Sequence, residues 1–225
     1  DLLVTAPVLV GTIDSGLRAY SIFPWIHLAP FGAAIPDVQR ALATGMARIH
    51  QASAEDTDSH RGQFGFGEIT YLGPLPQDNR WTSNWVHFFI AQRLQPLLTT
   101  ALKRFSNSYG TSNETANALC TLGTRIIQED SDVVSYLFDG INICPSLVHG
   151  DLFMGNCGAT VKERRAVVYD PASFYGHDEY DLALSSMWGR FSDEFYTAYH
   201  DARGPPQARF ADRQLIYRLH YLLQM

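Results

Sequence analysis

The chain has 225 residues, of which 46% are hydrophobic and 18% charged, and its formal net charge is −6. This composition is typical of a globular protein with a substantial core, and the length allows one large domain or two small ones. The basic residues form no cluster, which excludes an obvious nucleic-acid or anionic-membrane surface. The sequence shows no membrane span and no signal peptide. Its three cysteines lack metal-type spacing, so we expect reduced thiols in a cytoplasmic protein.

The first part of the chain, residues 2 to 32, is rich in β-branched and aromatic residues and is interrupted by prolines and glycines. This pattern predicts short strands joined by turns. Within it, TIDSGLRAYSIF has the form of a hairpin with Asp14-Ser15-Gly16 at its tip. From Asp37, a candidate N-cap, apolar residues recur with helical spacing as far as Ile49 and predict a helix. Residues 53 to 80 are polar and glycine-rich and predict a long ordered loop.

Helical patterns dominate the rest of the chain. Apolar and aromatic residues from Trp85 to Leu94 predict a second helix, which Pro96 should kink or end. Another amphipathic helix is predicted over residues 114 to 129, and the residues after 180 are predicted to be mostly helical. The strand-rich start and the helical remainder together predict the end of a β-rich lobe, a connector and a helical lobe.

The stretch LVHGDLFMGN, residues 147 to 156, interrupts this helical pattern. A strand leads into His149, and a second short strand, AVVYD, ends at Asp170. We expect these two strands to pair, with residues 162 to 164 near the turn. Such pairing would bring Asp151, Asn156 and Asp170 together.

These three side chains suit phosphoryl transfer. A carboxylate can accept the proton of an alcohol, while a carboxamide oxygen and a second carboxylate are ligands that Mg²⁺ prefers. An Asp followed five residues later by Asn, and then by a strand and another Asp, also matches the logic of kinase catalytic loops. Each part alone has a simpler explanation, such as a surface turn, a helix cap or a structural histidine at His149. Their occurrence together and in this order favours the catalytic interpretation.

Other chemical patterns are weaker. RGQFGFGE, residues 61 to 68, neither follows a clear strand nor opens a helix, so it is interpreted as a loop and not as a nucleotide site. The sequence contains no Gly-x-Ser-x-Gly elbow of a hydrolase. Its histidines lack the spacing of a zinc site, so zinc catalysis is not expected.

Several longer motifs resemble one family. HGDLFMGN, YDPASFYGHDEYDLA and FYTAYH together look like the fructosamine kinases, also called ketosamine-3-kinases. This family lies within the kinase-like phosphotransferases that include aminoglycoside and choline kinases. The HGD motif with its Asn is shared by that wider group, whereas DPASFYGH is particular to the fructosamine kinases. NRWTSNWVHFFIAQRLQP is similar to the family as well, and the resemblance covers nearly the whole chain.

The resemblance implies an α+β, protein-kinase-like fold. Residues 1–27 would be the end of the small lobe and the connector, and residues 28–225 the helical large lobe. Family members use ATP and Mg²⁺ to phosphorylate the O3 hydroxyl of ketosamines, the ribulosamine or fructosamine adducts on protein lysines or small amines. The implied partners are therefore glycated proteins or small ketosamines, with no nucleic acid and no membrane.

The resemblance also implies roles for individual residues. Asp151 would be the catalytic base, Asn156 and Asp170 would bind Mg²⁺, and Asp181 and His149 would support the loop. The connector residues that would meet the adenine are Phe23, Pro24, Trp25 and Ile26. The residues expected at the sugar are Asn79, Trp81, Trp85, Phe153, Tyr175 and His177. Trp81 is interpreted equally well as a sugar contact or as a structural residue.

The sequence departs from the family pattern at three places. Phe153 and Met154 stand where the family usually has Trp and Ser, and Pro24 has no N–H to offer an adenine, so Ile26 is the expected donor. The glycine-rich loop, the ATP-binding lysine and its partner glutamate would precede Asp1. We therefore expect this chain alone to bind ATP poorly and to turn over little substrate. The alternatives are a phosphotransferase for another small alcohol, such as an aminoglycoside or choline, and a non-catalytic binding protein.

Overall fold

The computed structural model describes residues 2–30, 36–109, 114, 117–118, 121, 123–125 and 131–224. Its strands are β1 (Leu2–Val4), β2 (Leu9–Ile13), β3 (Arg18–Ile22), β4 (Leu28–Pro30), β5 (Thr70–Leu72), β6 (Leu75–Gln77), β7 (Ser146–Val148), β8 (Cys157–Thr160), β9 (Ala166–Val168) and β10 (Phe174–Gly176). Its helices are α1 (Pro36–Glu55), α2 (Thr57–His60), α3 (Trp85–Phe89), α4 (Gln95–Tyr109), α5 (Ser131–Phe138), α6 (Glu179–Ser185), α7 (Asp193–Arg203) and α8 (Phe210–Leu222).

The strands form one four-stranded sheet, in the order β1-β9-β8-β4, and three two-stranded ladders. β2 and β3 pair antiparallel across the Asp14–Gly16 turn, which confirms the predicted hairpin. β1 pairs parallel with β9, so strand pairing joins the first 27 residues to the rest of the chain. The mixture of strands and helices agrees with the α+β class expected from the sequence.

The predicted pairing of the two strands around LVHGDLFMGN is wrong. β7 pairs with β10, and β9 pairs with β8, a strand that the sequence analysis missed. The missed strand reads CGAT and is buried throughout, so it lacks the alternation that marks a strand in a sequence, and Thr160 is its single β-branched residue. Asn156 and Asp170 are nevertheless brought together, because they flank the β8–β9 hairpin.

Two other regions differ from the sequence expectation. The predicted loop over residues 53 to 80 includes the end of α1, the short helix α2 and the β5–β6 hairpin. The helix begun at Trp85 does not end at Pro96: a π-helical turn over Ile90–Leu94 leads directly into α4, and Pro96 occupies the first turn of α4, where its missing N–H is tolerated.

The helix that begins near Asp37 is confirmed, although it starts at Pro36 and Asp37 lies within its first turn. The helix predicted over residues 114 to 129 lies largely outside the described residues, and those described there are helical. Within the described ranges, no helix is both long enough and apolar enough to span a membrane. Cys144 and Cys157, the two cysteines of the described ranges, are free thiols.

Two buried clusters form the core, and the stretch around Asp151 lies between them. Val148 and Phe153 pack with the first cluster, which is built from aromatic residues of α3, β10, α6 and α8. Leu152 packs in the second cluster, formed by α1, α7 and the β8–β9 hairpin. Because neighbouring residues are buried in different clusters, the backbone at Asp151 is fixed from both sides.

Candidate active site

The loop that carries Asp151 begins where β7 ends. Gly150 adopts a φ of 83°, in the left-handed region, and a Cβ there would collide with the carbonyl of Ala172. Glycine is therefore required at this position for both reasons. The carbonyl of Gly150 also accepts a hydrogen bond from the hydroxyl of Tyr221 at 3.1 Å, which ties the loop to α8.

Asp181, in the first turn of α6, holds the loop from beneath. Its carboxylate accepts hydrogen bonds from the backbone N–H of His149 at 2.7 Å and of Gly150 at 2.9 Å. The Nε2–H of His50 donates a third hydrogen bond to it at 3.1 Å, and Nδ1 of His50 accepts one from the Tyr199 hydroxyl at 2.7 Å. Asp181 is 0% exposed. Asp181 therefore binds the backbone of the loop directly, and the supporting role that the resemblance implied for it stays a prediction.

His149 is bonded to backbone at both ring nitrogens. Nδ1 accepts the N–H of Asp151 at 3.3 Å, so Nε2 carries the proton and donates it to the carbonyl of Tyr169 at 3.1 Å. Burial lowers the pKa of His149, which keeps the ring neutral at physiological pH. Both ring nitrogens of His149 are therefore used by the backbone, and its supporting role in the site stays a prediction.

Asp151 differs from Asp181 because it is only partly buried. One of its oxygens accepts a hydrogen bond from Asn156 Nδ2 at 2.8 Å. The pKa of Asp151 is raised to about 6, mainly by desolvation; the hydrogen bond from Asn156 opposes the shift, and the negative charges of Asp170 and Asp181 add to it. A carboxylate that titrates near neutrality and lies against a cavity is suited to accept a proton.

Asn156 and Asp170 lie beside Asp151 and retain free oxygen atoms. The Nδ2 group of Asn156 is used by the backbone and side chain of Asp151, which leaves its Oδ1 available. The backbone carbonyl of Asn156 accepts the N–H of Tyr169 at 3.1 Å, and Asp170 follows directly with a φ of 57°. A carboxamide oxygen and a carboxylate are hard ligands and fit Mg²⁺. Within the described ranges, no cluster of three or more His, Cys, Asp or Glu side chains could bind a metal ion.

A cavity of about 480 Å³ lies between the connector and Asp170. Its walls are largely apolar and include Phe23, Pro24 and Ile26 on one side and Tyr169 and Asp170 on the other. Such walls suit a flat aromatic base, with a carboxylate near its phosphates. Trp25, also predicted for this site, is 85% exposed and is absent from the cavity lining.

A second cavity, of about 340 Å³, contains Asp151 and Phe153. It is completed by Arg104, Trp188, Gln224 and the turn between β5 and β6. Sequence reasoning missed all of these additional residues. They come from four distant segments and carry no local motif, so only the packing of α4, α8 and the hairpin against the loop brings them together.

The residues predicted at the sugar do not form one group. Asn79 is buried and uses its whole carboxamide, donating to the carbonyl of Glu68 and the hydroxyl of Thr70 and accepting from Arg93 at 2.6 Å. Trp85 and His177 are 3% and 2% exposed and both bond to the hydroxyl of Tyr217. All three have buried partners far along the chain, and their contact with the sugar stays a prediction.

Trp81 and Tyr175 lie against each other, with ring centroids 6.0 Å apart. Trp81 is 38% exposed and lines a third cavity, of about 640 Å³, together with Phe66. Among the predicted sugar residues, Phe153 alone lines the same cavity as Asp151.

Comparison with known proteins identifies the family of the chain. Residues 3–225 match the fructosamine kinase family model. The mouse ketosamine-3-kinase is 39% identical over 161 residues, which cover 71% of this chain and 47% of the mouse protein.

Solved structures show the fold. A candidate fructosamine-3-kinase from Haemophilus somnus has a TM-score of 0.76 and 24% identity, covering 99% of this chain and 65% of its own. The GDP complex of wild-type aminoglycoside 2′-phosphotransferase-IIIa has a TM-score of 0.58 and 13% identity, covering 100% of this chain and 68% of its own. The fold is therefore the kinase-like fold of these phosphotransferases. The chain spans about half the length of the mouse relative and about two thirds of the two structures.

Proposed function

The chain belongs to the fructosamine kinase family, and on this basis we propose that the protein transfers the γ-phosphate of ATP to the O3 hydroxyl of ketosamines. The acceptors are ribulosamine or fructosamine adducts on protein lysines or on small amines, and phosphorylation begins their deglycation. The observation that carries the proposal is the position of Asp151, which contacts Asn156 and lies in its own cavity beside the Asp170 cavity.

Asp151 acts as the base in this proposal. Its carboxylate accepts the proton of the O3 hydroxyl as the oxygen attacks the γ-phosphorus, the bond from that phosphorus to the β–γ bridging oxygen breaks and ADP leaves. Asn156 fixes the orientation of the carboxylate. Partial desolvation places its pKa near 6, so it is ionised at neutral pH while remaining basic enough to take a proton. Asp181 and His149 keep the backbone of the loop in place during this step.

Asn156 Oδ1 and the Asp170 carboxylate are the groups proposed to hold Mg²⁺. The ion, when bound, neutralises negative charge on the phosphates. Phe23, Pro24 and Ile26 line the cavity proposed for the adenine, and Ile26 supplies the N–H that Pro24 lacks. Trp25 is exposed and does not line this cavity, so no contact with the adenine is proposed for it.

Phe153 is the proposed aromatic contact of the sugar, because it shares the cavity of Asp151. Asn79, Trp85 and His177 support the site through core packing and hydrogen bonds. Direct contact of the sugar with Trp81 or Tyr175 stays a prediction. The division into a small-lobe part (1–27) and a large lobe (28–225), and a cytoplasmic location, likewise remain proposals.

The test is ATP turnover with four acceptors: a ribulosamine, a fructosamine, an aminoglycoside and choline. It is run on this chain and on a version extended upstream of Asp1, each with its Asp151→Asn counterpart as the control for background hydrolysis. We expect the extended version to phosphorylate a ketosamine at O3, as seen by phosphorus NMR of the product. A preference for the aminoglycoside or choline would contradict the substrate class, and absence of turnover with every acceptor would favour a binding protein.

A further inference from the structure

The cavity that contains Asp151 also contains a cation, Arg104 of α4. Arg104 is exposed, and within the described part of the chain no hydrogen bond or ion pair engages its guanidinium. Arg93 and Arg80 are by contrast already used, because Arg93 is buried against Asn79 and Arg80 pairs with Asp78. An unpaired guanidinium facing a cavity is a ready binding group for a carboxylate or phosphate, because it offers several N–H donors in a fixed plane.

The position of Arg104 favours the acceptor over the nucleotide. The cavity of the connector and Asp170 shares no lining residue with the cavity of Asp151 and Arg104. In the proposed function the nucleotide occupies the cavity of Asp170, which leaves the cavity of Asp151 and Arg104 for the acceptor. An anionic group at Arg104 would accordingly belong to the acceptor.

The remaining walls suit one sugar and a short attached group. Phe153 and Trp188 supply aromatic surface for the apolar face of a sugar ring. The Nε2 group of Gln224 donates a hydrogen bond to Nε2 of His220 at 3.0 Å. This leaves the side-chain carbonyl oxygen of Gln224 to accept a hydrogen bond from a sugar hydroxyl. A volume of about 340 Å³ lies at the small end of the range for small-molecule sites, roughly 300–1,000 Å³.

We propose that this cavity is selective for ketosamines whose amine carries a free carboxylate, with Arg104 pairing with that carboxylate while the O3 hydroxyl faces Asp151. The inference rests on the proposed function and adds the acceptor class: adducts of amino acids and of short peptides with a carboxylate near the sugar. Without Arg104, the negative charge of Asp151 would repel such acceptors. Arg104 cancels this repulsion and adds a charge-assisted hydrogen bond.

The experiment compares two fructosamines that differ in one group, the adduct of glycine and the adduct of glycinamide. The ratio of their kcat/KM values is measured for the protein expressed from its complete reading frame and for Arg104→Gln and Arg104→Glu. Lys103→Gln is the matched control, because it removes a positive charge one residue away on the same helix and Lys103 is absent from the cavity lining. Comparing the ratio between variants cancels the different basicity of the two amines.

For a partly solvated ion pair we expect the unsubstituted protein to favour the glycine adduct by roughly threefold to tenfold. Arg104→Gln should abolish this preference, and Arg104→Glu should reverse it. Lys103→Gln should keep most of it. Raising the salt concentration should weaken the preference of the unsubstituted protein, whereas the ratio of kcat/KM values measured for Arg104→Gln should not change.

An unchanged ratio in Arg104→Gln, measured on a protein that phosphorylates both adducts, would overturn the inference and leave the proposed function intact. Failure of the unsubstituted protein to phosphorylate any ketosamine would overturn the proposed function and the inference with it. Because Arg104 is exposed on α4, both variants are expected to keep their melting temperature, and Arg104→Glu gives an opposite-sign result that a folding defect cannot imitate.

Discussion

Two carboxylates have opposite environments: Asp151 lies on the loop that follows β7, and Asp181 lies in α6 and binds the backbone of that loop. Asp181 is fully buried, and its oxygens accept hydrogen bonds from two backbone N–H groups and a histidine. Asp151 is partly buried, accepts one side-chain hydrogen bond and faces a cavity. The residue type is the same, so the difference lies in how much hydrogen-bonding capacity the fold has used. A carboxylate whose acceptor sites are all occupied by protein donors supports the structure, and one with unoccupied acceptor sites can act on a ligand.

The largest effect should follow from Asp151→Asn in a version that turns over substrate. Asparagine keeps the size of the side chain and an oxygen for Asn156, but it cannot accept a proton. We expect kcat to fall by about 10² to 10⁴, with ATP binding unchanged. The melting temperature should hold or rise, because burying an ionised carboxylate is unfavourable. Near-normal turnover would show that Asp151 is not the base.

Asp181→Ala should instead reduce stability. It leaves the N–H groups of His149 and Gly150 and the ring of His50 without their acceptor inside the protein. Two or three unsatisfied buried donors predict a loss of roughly 3 kcal/mol or more in the free energy of unfolding, measured by urea denaturation. Asp181→Asn, which retains one acceptor oxygen, should cost less. If Asp181→Ala kept full stability but lost turnover, the contrast with Asp151 would disappear.

Asp170→Ala tests whether a third carboxylate, which lines the proposed nucleotide cavity, binds Mg²⁺. Removing a proposed metal ligand should weaken binding of ATP in the presence of Mg²⁺ by roughly tenfold to a hundredfold, a range typical of losses around metal sites. Calorimetric titration with and without Mg²⁺ separates this effect from direct contact with ATP. Equal weakening under both conditions would mean that Asp170 acts on the nucleotide without a metal.

The pH dependence of kcat/KM should report the raised pKa of Asp151. The folded-state pKa is about 6, against an ordinary value of 3.8. The base is therefore protonated below about pH 6, where kcat/KM should fall by about tenfold per pH unit. The folded state binds this proton more tightly than the unfolded state does. The free energy of unfolding should therefore fall as the pH rises from 3.8 to about 6, the opposite of the trend for a carboxylate in an ion pair. An acid limb near pH 4 would contradict the desolvated environment.

The smallest effect concerns the aromatic residues. Phe153→Ala should raise the KM for the ketosamine several-fold, because Phe153 lines the cavity of Asp151. Trp81→Ala is expected to raise the same KM less, because Trp81 lines a different cavity and packs on Tyr175. The KM for ATP is the internal control for both variants. An unchanged ketosamine KM in Trp81→Ala, together with a lower melting temperature, would show that Trp81 is only structural.

Local patterns were enough for much of the fold. The Asp14–Gly16 hairpin, the helix that begins near Asp37 and the loop from His149 to Asn156 all follow from contiguous residues whose spacing reflects backbone geometry. The proposed base and metal ligands could be chosen for the same reason, because Asp151 and Asn156 lie on one loop and Asp170 directly follows a short strand.

Strand partners and the acceptor cavity depended on the tertiary structure. β7 pairs with β10 and not with β9, since the small residues of β8 form a hairpin with β9 that no alternating pattern announces. The tertiary structure also brings Arg104 and Trp188, from distant segments of the chain, to the cavity of Asp151. The sequence by itself determined the chemical groups of the site. The tertiary structure decided which of these groups are buried and hydrogen-bonded within the protein and which face a cavity, because burial and hydrogen bonding depend on partners far along the chain.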